Sequence, residues 1–268
     1  MKKPVNKLRS VKKMSNKISI ITITFNSERY LEQTISSIVD QTYGNIEYII
    51  VDGGSTDGTL DIIRKYEKHI DRWISEPDDG IADAMNKGLS LATGDYILFL
   101  HSDDYLLDAG VLEQAVGFLT KPYDIVMCDI ILERNGKKSL LSPRGLTWWI
   151  NFKTGIFHQS VLCSKTLFRE VGTFDTNFHI TMDYDFFLRA YRASMRTKRI
   201  KIPLTLMRLV GISSKTDWPG LEQRLLEEQR VHIKNCPTLW MRLLYKIYWS
   251  AYLPYKKTSS TIKSIVTQ

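Results

Sequence analysis

Apolar residues follow two different periods in the first hundred positions of this 268-residue chain. Four continuous runs rich in β-branched residues show no helical period and predict buried strands. Between them, three segments repeat apolar residues every three or four positions and predict helices. The strands are predicted at 18–26, 46–52, 72–76 and 95–100, and the helices at 27–42, 60–70 and 80–92. This alternation predicts an α/β fold, a mostly parallel sheet flanked by helices.

The second half of the chain is less regular. It predicts three further helices, at 112–119, 164–172 and 182–194. A strand and hairpin are predicted around the turn Asn135-Gly136. We divide the chain into a basic N-terminal tail (1–17), one folded domain (18–220) and a basic amphipathic C-terminal segment (221–268).

The net charge of +8 is unevenly distributed along the chain. Residues 1–17 and 229–268 each hold seven Lys or Arg and no acidic residue, whereas the remainder holds 23 basic and 29 acidic residues. Because a nucleic-acid-binding domain usually carries its positive charge on the folded surface, no nucleic-acid partner is predicted. The segment 239–257, LWMRLLYKIYWSAYLPYKK, interleaves aromatic and basic residues. Such a helix suits an anionic membrane surface, and packing against the domain is the alternative.

Three widely spaced cysteines, Cys128, Cys163 and Cys236, match neither a zinc site nor a disulfide framework. The basic N-terminal stretch is not followed by the apolar region of a signal peptide, and no run of about 20 apolar residues predicts a membrane span. We therefore expect a cytoplasmic protein, held peripherally on the inner face of the cytoplasmic membrane.

Polar residues gather where the predicted strands end. They are Thr24, Asn26 and Glu28; Asp52 and Ser55; Asp79; and Ser102, Asp103 and Asp104. Each group alone is explained by turns and helix caps, but the carboxyl ends of parallel strands meet at one edge, where ligands bind. Since one or two carboxylates and a substrate's phosphates can hold a divalent cation, this edge predicts a nucleoside diphosphate ligand with Mn²⁺ or Mg²⁺.

Three segments carry a resemblance to a known family. They are ITITFNSERYLEQTISSIVDQTYGNIEYIIVDGGSTDGT (21–59), SEPDDGIADAMNKGLSLATGDYILFLHSDD (75–104) and GTFDTNFHITMDYDFFLR (172–189). In order and spacing they resemble the family 2 glycosyltransferases, which have the glycosyltransferase-A fold and invert the anomeric centre. The resemblance covers roughly residues 18–210, and it is greatest to bacterial enzymes that build O-antigen, capsule or exopolysaccharide.

The resemblance implies a nucleotide-binding role for the first strand ends. Thr24, Asn26 and Asp52 would line the nucleotide pocket, with Asp52 reaching the base. Glu28 and Ser55 are assigned to the same substrate-binding region, and Asp79 belongs to a segment that closes over the nucleotide.

The resemblance also implies the reacting groups. Asp104 would ligate the metal, and Asp103 would reach the ribose or the metal-bound water, although Ser102 replaces the usual first Asp. Asp183 would be the general base; because Met182 replaces the usual preceding acid, Asp185 stays an alternative. His158 would contact the diphosphate or the acceptor, or else be an ordinary core histidine.

These assignments predict a metal-dependent transferase. It would move a sugar from a nucleotide-diphosphate-sugar donor, with a UDP-sugar expected first, to a growing glycan on a polyprenyl diphosphate lipid. A nucleotidyltransferase that makes nucleotide sugars is the alternative, but the sequence has no early glycine-rich basic loop for a nucleoside triphosphate. A non-catalytic protein that binds nucleic acid through its tails is a second alternative, and it leaves the acidic cluster unexplained.

Overall fold

The structure is a computed structural model that describes residues 16–119, 121–209 and 217–266, with side chains described as far as residue 259. Almost all of the predicted basic N-terminal tail (1–17) therefore lies outside the described residues. Residues 210–216 also lie outside the described residues.

Nine strands form a single sheet in the part of the chain that the structure describes. They are β1 (Ile18–Thr24), β2 (Ile46–Asp52), β3 (Arg72–Ser75), β4 (Tyr96–Phe99), β5 (Tyr105–Leu106), β6 (Ile125–Arg134), β7 (Lys137–Leu141), β8 (Val161–Ser164) and β9 (Thr197–Arg208). Their order in the sheet is β3-β2-β1-β4-β8-β6-β9-β5, with β7 beside β6. The first four strands are parallel, so their carboxyl ends share one edge as predicted. β8 pairs antiparallel with both β4 and β6, which joins this parallel half to a mixed second half.

The described residues form eight α-helices, which pack around the sheet. They are α1 (Leu31–Val39), α2 (Thr59–Lys65), α3 (Ile81–Leu91), α4 (Val111–Val116), α5 (Lys165–Val171), α6 (Met182–Arg192), α7 (Trp218–Lys234) and α8 (Leu239–Val266). Short 3-10 helices occur at Glu67–His69, Trp148–Asn151 and His158–Ser160. None of the helices described here is long and apolar enough to cross a membrane.

Alternating residues of the central strands belong to two hydrophobic cores, one on each face of the sheet. Ile21 and Ile49 belong to the core that includes α3 and α6, whereas Ile20 and Ile50 belong to the core that includes α1. This is the period of two expected when both faces of a strand are covered, and it confirms the prediction of a mostly parallel α/β sheet with helices on both faces.

Two local sequence signals are confirmed. The hairpin between β6 and β7 turns at Asn135 and Gly136, both with positive φ (50° and 74°), as a type I′ turn requires. Ser164 caps α5 by accepting a hydrogen bond from the Leu167 amide at 3.2 Å, and Gly172 ends that helix with φ 81°.

Helices α7 and α8 form a hairpin packed on the domain, and the predicted boundary at residue 220 falls inside α7. His232 of α7 connects them: Trp249 Nε1 of α8 donates to its Nδ1 at 2.9 Å, and its Nε2 lies 2.7 Å from the Tyr184 hydroxyl of α6. Tyr184 donates in turn to the Ile150 carbonyl at 2.7 Å. The hairpin is thus attached to α6, the helix that carries the predicted base, Asp183.

Candidate active site

Asp52 organises the turn that follows β2. Its side chain is fully buried, and one carboxylate oxygen accepts hydrogen bonds from the amides of Gly54 (3.1 Å) and Ser55 (2.9 Å) and from the Ser75 hydroxyl (2.7 Å). The other oxygen accepts from the Ser55 hydroxyl. Each carboxylate oxygen offers about two acceptor positions, so the second oxygen, which accepts one of these four hydrogen bonds, keeps one position.

Asn26 and Glu28 hold the loop after β1 against the loop after β2. Asn26 has a φ of 48°, and its side-chain oxygen accepts from the Thr56 amide at 2.9 Å. The Glu28 carboxylate accepts from the Gly58 amide at 2.8 Å, next to the first residue of α2. The Thr24 hydroxyl is buried and has no hydrogen-bond partner among the described residues. Both Asn26 and Glu28 thus shape this edge, and their contacts to a substrate stay predictions.

The segment from Asp78 to Gly80 lies over this turn. A Cβ at Gly53 would come within 2.5 Å of Asp78 Oδ2, so residue 53 must be small for Asp78 to keep its place. Asp78 accepts from the Gly80 amide at 2.9 Å, and Gly80 has a φ of 106°. Asp79 is exposed, and it belongs to the segment that is predicted to close over the nucleotide.

Arg208, at the end of β9, is the positive group beside Asp103 and Asp104. Its guanidinium donates to the Asp103 carbonyl at 2.6 Å, and its amide donates to Asp104 Oδ1 at 2.9 Å. Asp104 is buried, whereas Asp103 is half-buried. Arg208 also lies over the rings of Tyr30 and Tyr105, which fixes the guanidinium in place.

Both carboxylates are difficult to ionise without a cation. Burial, followed by the neighbouring charge of Asp103, raises the pKa of Asp104 well above its usual value, and burial raises the pKa of Asp103. The charge of Arg208 opposes both shifts. Among the described residues, no three His, Cys, Asp or Glu side chains are placed to hold a metal ion by themselves. The pair therefore fits an ion whose other ligands come from a bound diphosphate, as Mg²⁺-type ions often have.

A chain of side chains links the strand edge to α6. Asp183 Oδ2 lies 3.2 Å from His158 Nδ1, and His158 Nε2 lies 3.1 Å from His101 Nε2. Burial lowers the pKa of His101 well below its usual value, so that ring stays neutral. When His158 Nδ1–H donates to the Asp183 carboxylate, neutral His158 can accept from His101 at Nε2. This arrangement holds the Asp183 carboxylate in one orientation.

The two aspartates of α6 have different surroundings. Asp183 lines a cavity, whereas Asp185 is fully buried and bonded to Arg189 (2.9 Å), Lys234 (2.9 Å) and Asn235 (2.8 Å). Asp185 therefore connects α6 to the end of α7.

The cavity has a volume of about 360 Å³ and brings together most of the residues predicted to take part in a reaction. Its lining includes Asp103, Asp104, His158, Asp183 and Glu228. Thr24, Asn26, Glu28, Asp52, Ser55 and Asp79 are not among its lining residues and belong to the loops after the first three strands. The predicted site thus has two parts, a strand-end part and a cavity reaching α6 and α7.

The family model described as glycosyl transferase family 2 matches residues 19–193. The chain belongs to glycosyl transferase family 2. This match confirms the family resemblance that the three sequence segments carry.

Curated relatives of this family 2 glycosyltransferase support the same assignment. The PGL/p-HBAD biosynthesis glycosyltransferase of Mycobacterium bovis (strain BCG / Pasteur 1173P2) is 32% identical over 219 residues, covering 79% of this chain and 81% of that protein. The putative teichuronic acid biosynthesis glycosyltransferase TuaG of Bacillus subtilis is 47% identical over 91 residues, 32% of this chain and 36% of that protein.

Solved structures confirm the fold. The mannosyltransferase PcManGT from Pyrobaculum calidifontis, in complex with GDP-Man and Mn²⁺, matches with a TM-score of 0.68 and 20% identity, covering 93% of this chain and 74% of that chain. S. aureus TarS 1–349 in complex with UDP-GlcNAc matches with a TM-score of 0.64 and 21% identity, covering 82% and 66%. The chain spans only 39% of another solved S. aureus TarS chain.

The sequence did not point to His101, Arg208 and Glu228 of the cavity wall, nor to Glu227, whose carboxylate accepts from the Thr181 amide just before α6. His101 directly precedes the recognised Ser102-Asp103-Asp104 motif, and its contact with His158 could have been suspected only from the fold. Arg208, Glu227 and Glu228 lie in segments where the sequence shows no motif. Their positions follow from long-range packing.

Proposed function

We propose that this family 2 glycosyltransferase transfers a sugar from a nucleotide-diphosphate-sugar donor to a hydroxyl of a growing cell-surface glycan, with inversion. The observation that carries the proposal is the cavity that has Asp103 and Asp104 in its wall together with Asp183. A carboxylate pair suited to a diphosphate-bound cation and a separate, oriented carboxylate are the two groups that a single displacement requires.

In the proposed reaction, Asp183 accepts the proton of the acceptor hydroxyl as that oxygen attacks the anomeric carbon. The bond between this carbon and the diphosphate oxygen breaks in the same displacement, so no enzyme nucleophile is needed. His158 positions the Asp183 carboxylate through its 3.2 Å contact. Asp103 and Asp104 would hold Mn²⁺ or Mg²⁺ together with the donor's diphosphate, and the ion would supply neutralisation of the leaving group's charge.

The donor class follows from the fold and the strand edge. PcManGT was solved with GDP-Man and TarS with UDP-GlcNAc, and both share the fold. We propose a UDP-sugar as the first candidate, with Asp52 accepting a hydrogen bond from the base at its second oxygen. Thr24, Asn26, Glu28, Ser55 and Asp79 complete the proposed nucleotide region.

For the acceptor we propose a glycan carried on a polyprenyl diphosphate lipid, so that the enzyme works at the inner face of the cytoplasmic membrane. The names of the relatives from M. bovis and B. subtilis, PGL and teichuronic acid biosynthesis, support a cell-surface glycan. On α8, Trp240, Leu243 and Ile247 are exposed and lie three and four residues apart, so they share one stripe. Arg242 and Lys246 are exposed beside it, an arrangement that suits anionic lipid headgroups.

A donor panel tests the proposed reaction. The full chain is incubated with UDP-, GDP- and dTDP-sugars, with Mn²⁺ or with a chelator, and binding and nucleotide release are measured. We expect metal-dependent binding of one donor. Asp103→Asn should weaken that binding and remove its metal dependence, whereas Asp183→Asn should keep donor affinity and slow turnover by at least about 100-fold.

The control for this panel is Asp61→Asn, because Asp61 is an exposed carboxylate of α2 paired with Arg64. It should behave as the wild type. Failure of the wild type to bind any nucleotide sugar, combined with turnover of a nucleoside triphosphate and a sugar phosphate, would instead support the nucleotidyltransferase alternative.

Vesicle sedimentation tests the membrane proposal. The chain should sediment with phosphatidylcholine vesicles containing about a quarter phosphatidylglycerol, and added salt should weaken this binding. Arg242→Glu combined with Lys246→Glu should abolish binding, whereas the same charge change at exposed Lys137 and Lys138 of β7 should not. Equal sedimentation of both double variants would argue against α8 as the binding surface.

A further inference from the structure

Glu228 is a buried carboxylate in the cavity wall that the reaction proposed above does not use. It lies on α7, only 6% of its surface is exposed, and it lines the same cavity as Asp183. Its Oε2 is buried and has no hydrogen-bond partner among the described residues. A buried carboxylate oxygen without a donor is costly, so a group that donates to it would stabilise this arrangement.

Two basic residues near Glu228 come from different parts of the chain. Arg224, one turn earlier on α7, has its Nε 3.9 Å from Glu228 Oε1, and it also lines the cavity. Lys153 lines the cavity as well and donates to the Tyr252 hydroxyl of α8 at 2.8 Å. The Glu228 carboxylate therefore has basic residues nearby, but its Oε2 accepts no hydrogen bond from the described residues.

Glu228 and Asp183 are electrostatically coupled across the cavity. Burial raises the pKa of Glu228; the positive charges of Lys153, Arg224 and Lys256 oppose this rise, and the charge of Asp183 adds to it. Two carboxylates are thus directed toward one space of about 360 Å³, a volume within the usual range for small-ligand sites.

We propose that Glu228 binds the acceptor sugar, accepting hydrogen bonds from hydroxyls next to the one that Asp183 deprotonates. This inference rests on the proposed glycosyltransferase reaction and adds a binding residue to it. Sugar hydroxyls are neutral donors, which a carboxylate pairs with strongly. Arg224 donates to the same sugar from the neighbouring turn.

The test separates acceptor binding from donor binding. Full-length Glu228→Gln, Glu228→Asp and wild-type chains are compared in three assays with the donor identified by the panel. The assays are donor affinity, donor hydrolysis without acceptor, and transfer to octyl glycosides of glucose, galactose, N-acetylglucosamine and rhamnose. Glu222→Gln is the matched control, because Glu222 lies on the same helix but does not line the cavity.

We expect Glu228→Gln to keep donor affinity and hydrolysis within twofold of the wild type. Its kcat/KM for the accepted glycoside should fall at least tenfold, mostly through KM, with Glu228→Asp intermediate and Glu222→Gln unchanged.

Three results would overturn the inference. They are unchanged transfer in Glu228→Gln, an equal loss of donor affinity, or a wild type that hydrolyses its donor but glycosylates no glycoside of the panel. A wild type that binds no nucleotide sugar would overturn the proposed function itself, and the inference with it.

Discussion

At the scale of single residues, Gly53 shows how an absent side chain shapes the strand edge. We predict that Gly53→Ala weakens donor binding several-fold while costing little stability. The new Cβ would lie 2.5 Å from Asp78 Oδ2, so Asp78 must move and disturb its bond to the Gly80 amide. The Gly53 backbone itself is not in the left-handed region, and alanine is therefore tolerated there.

Donor affinity and melting temperature would be measured together for this variant. Gly44→Ala is the matched control, since its Cβ would meet no atom within 4 Å. Equal donor affinity in the Gly53 and Gly44 variants would show that the position of Asp78 does not matter for binding.

Single residues of the site differed in how far the sequence could predict them. Asp183 could be proposed because a recognisable segment surrounds it, and the structure adds that Asp185 is bonded to Arg189 and lies away from the cavity. Glu228 could not be proposed, because an acidic residue in a charged helix is usually a solvated one. Only the packing of α7 reveals that this carboxylate is buried.

At the scale of elements, α7 holds the loop that leads into α6. The Glu227 carboxylate accepts hydrogen bonds from the amides of His179 (3.2 Å), Ile180 (2.8 Å) and Thr181 (3.1 Å). These three residues directly precede the helix that carries Asp183. A helix of the C-terminal segment therefore holds the loop that leads into α6, the helix of the proposed base Asp183.

We predict that Glu227→Gln lowers both stability and turnover. The amide side chain offers one oxygen and places an NH₂ group against backbone N–H donors, so at least one buried amide loses its partner, at a cost of about 1–3 kcal/mol. Turnover should fall at least fivefold, because the loop leads directly into the helix that carries Asp183. Urea unfolding and donor kinetics would measure both effects, with Glu222→Gln as the control. A loss of stability without any loss of turnover would show that the loop does not position Asp183.

Strand β9 is one of the elements that the sequence pattern did not predict, and it places Arg208 beside Asp103 and Asp104. Its sequence, TKRIKIPLTLMR, mixes four basic residues with a short apolar run and contains Pro203. Pro203 pairs with Asp129 where the β6–β9 register shifts, a position at which a strand tolerates proline. Pairing with a strand about 70 residues earlier leaves little local signal, whereas the hairpin at Asn135-Gly136 has one.

At the scale of the whole molecule, the parallel half was predictable and the attachment of the C-terminal hairpin was not. Regular strand–helix alternation predicted the shared edge of β1 to β4, where we propose that the nucleotide binds. The hairpin of α7 and α8 offered two interpretations, membrane contact and packing, and the structure shows one face of α8 packed through Tyr245 and Trp249 with another face exposed. Packing is therefore confirmed for one face of α8, and membrane contact stays a proposal for the exposed face.

The buried His232 network makes the stability of the molecule depend on pH. Burial lowers the pKa of His232 from 6.5 to about 3. Its Nδ1 must stay unprotonated to accept from Trp249, while Nε2–H donates to Tyr184. Below about pH 6.5 His232 therefore binds a proton in the unfolded chain but not in the folded chain. Stability falls as the pH falls toward 3.

We predict that between pH 7 and pH 5 the wild type loses about 2 kcal/mol of unfolding free energy through His232, at about 1.4 kcal/mol for each pH unit below 6.5. Urea unfolding followed by tryptophan fluorescence at both pH values would measure this. His232→Gln should be less stable at pH 7, because the Trp249–Tyr184 connection is disturbed, but should lose about 2 kcal/mol less than the wild type on acidification. The exposed His69 provides the control, and His69→Gln should keep the wild-type dependence. The same loss in His232→Gln and in the wild type would mean that other groups, and not the link between α6, α7 and α8, set the acid sensitivity of the fold.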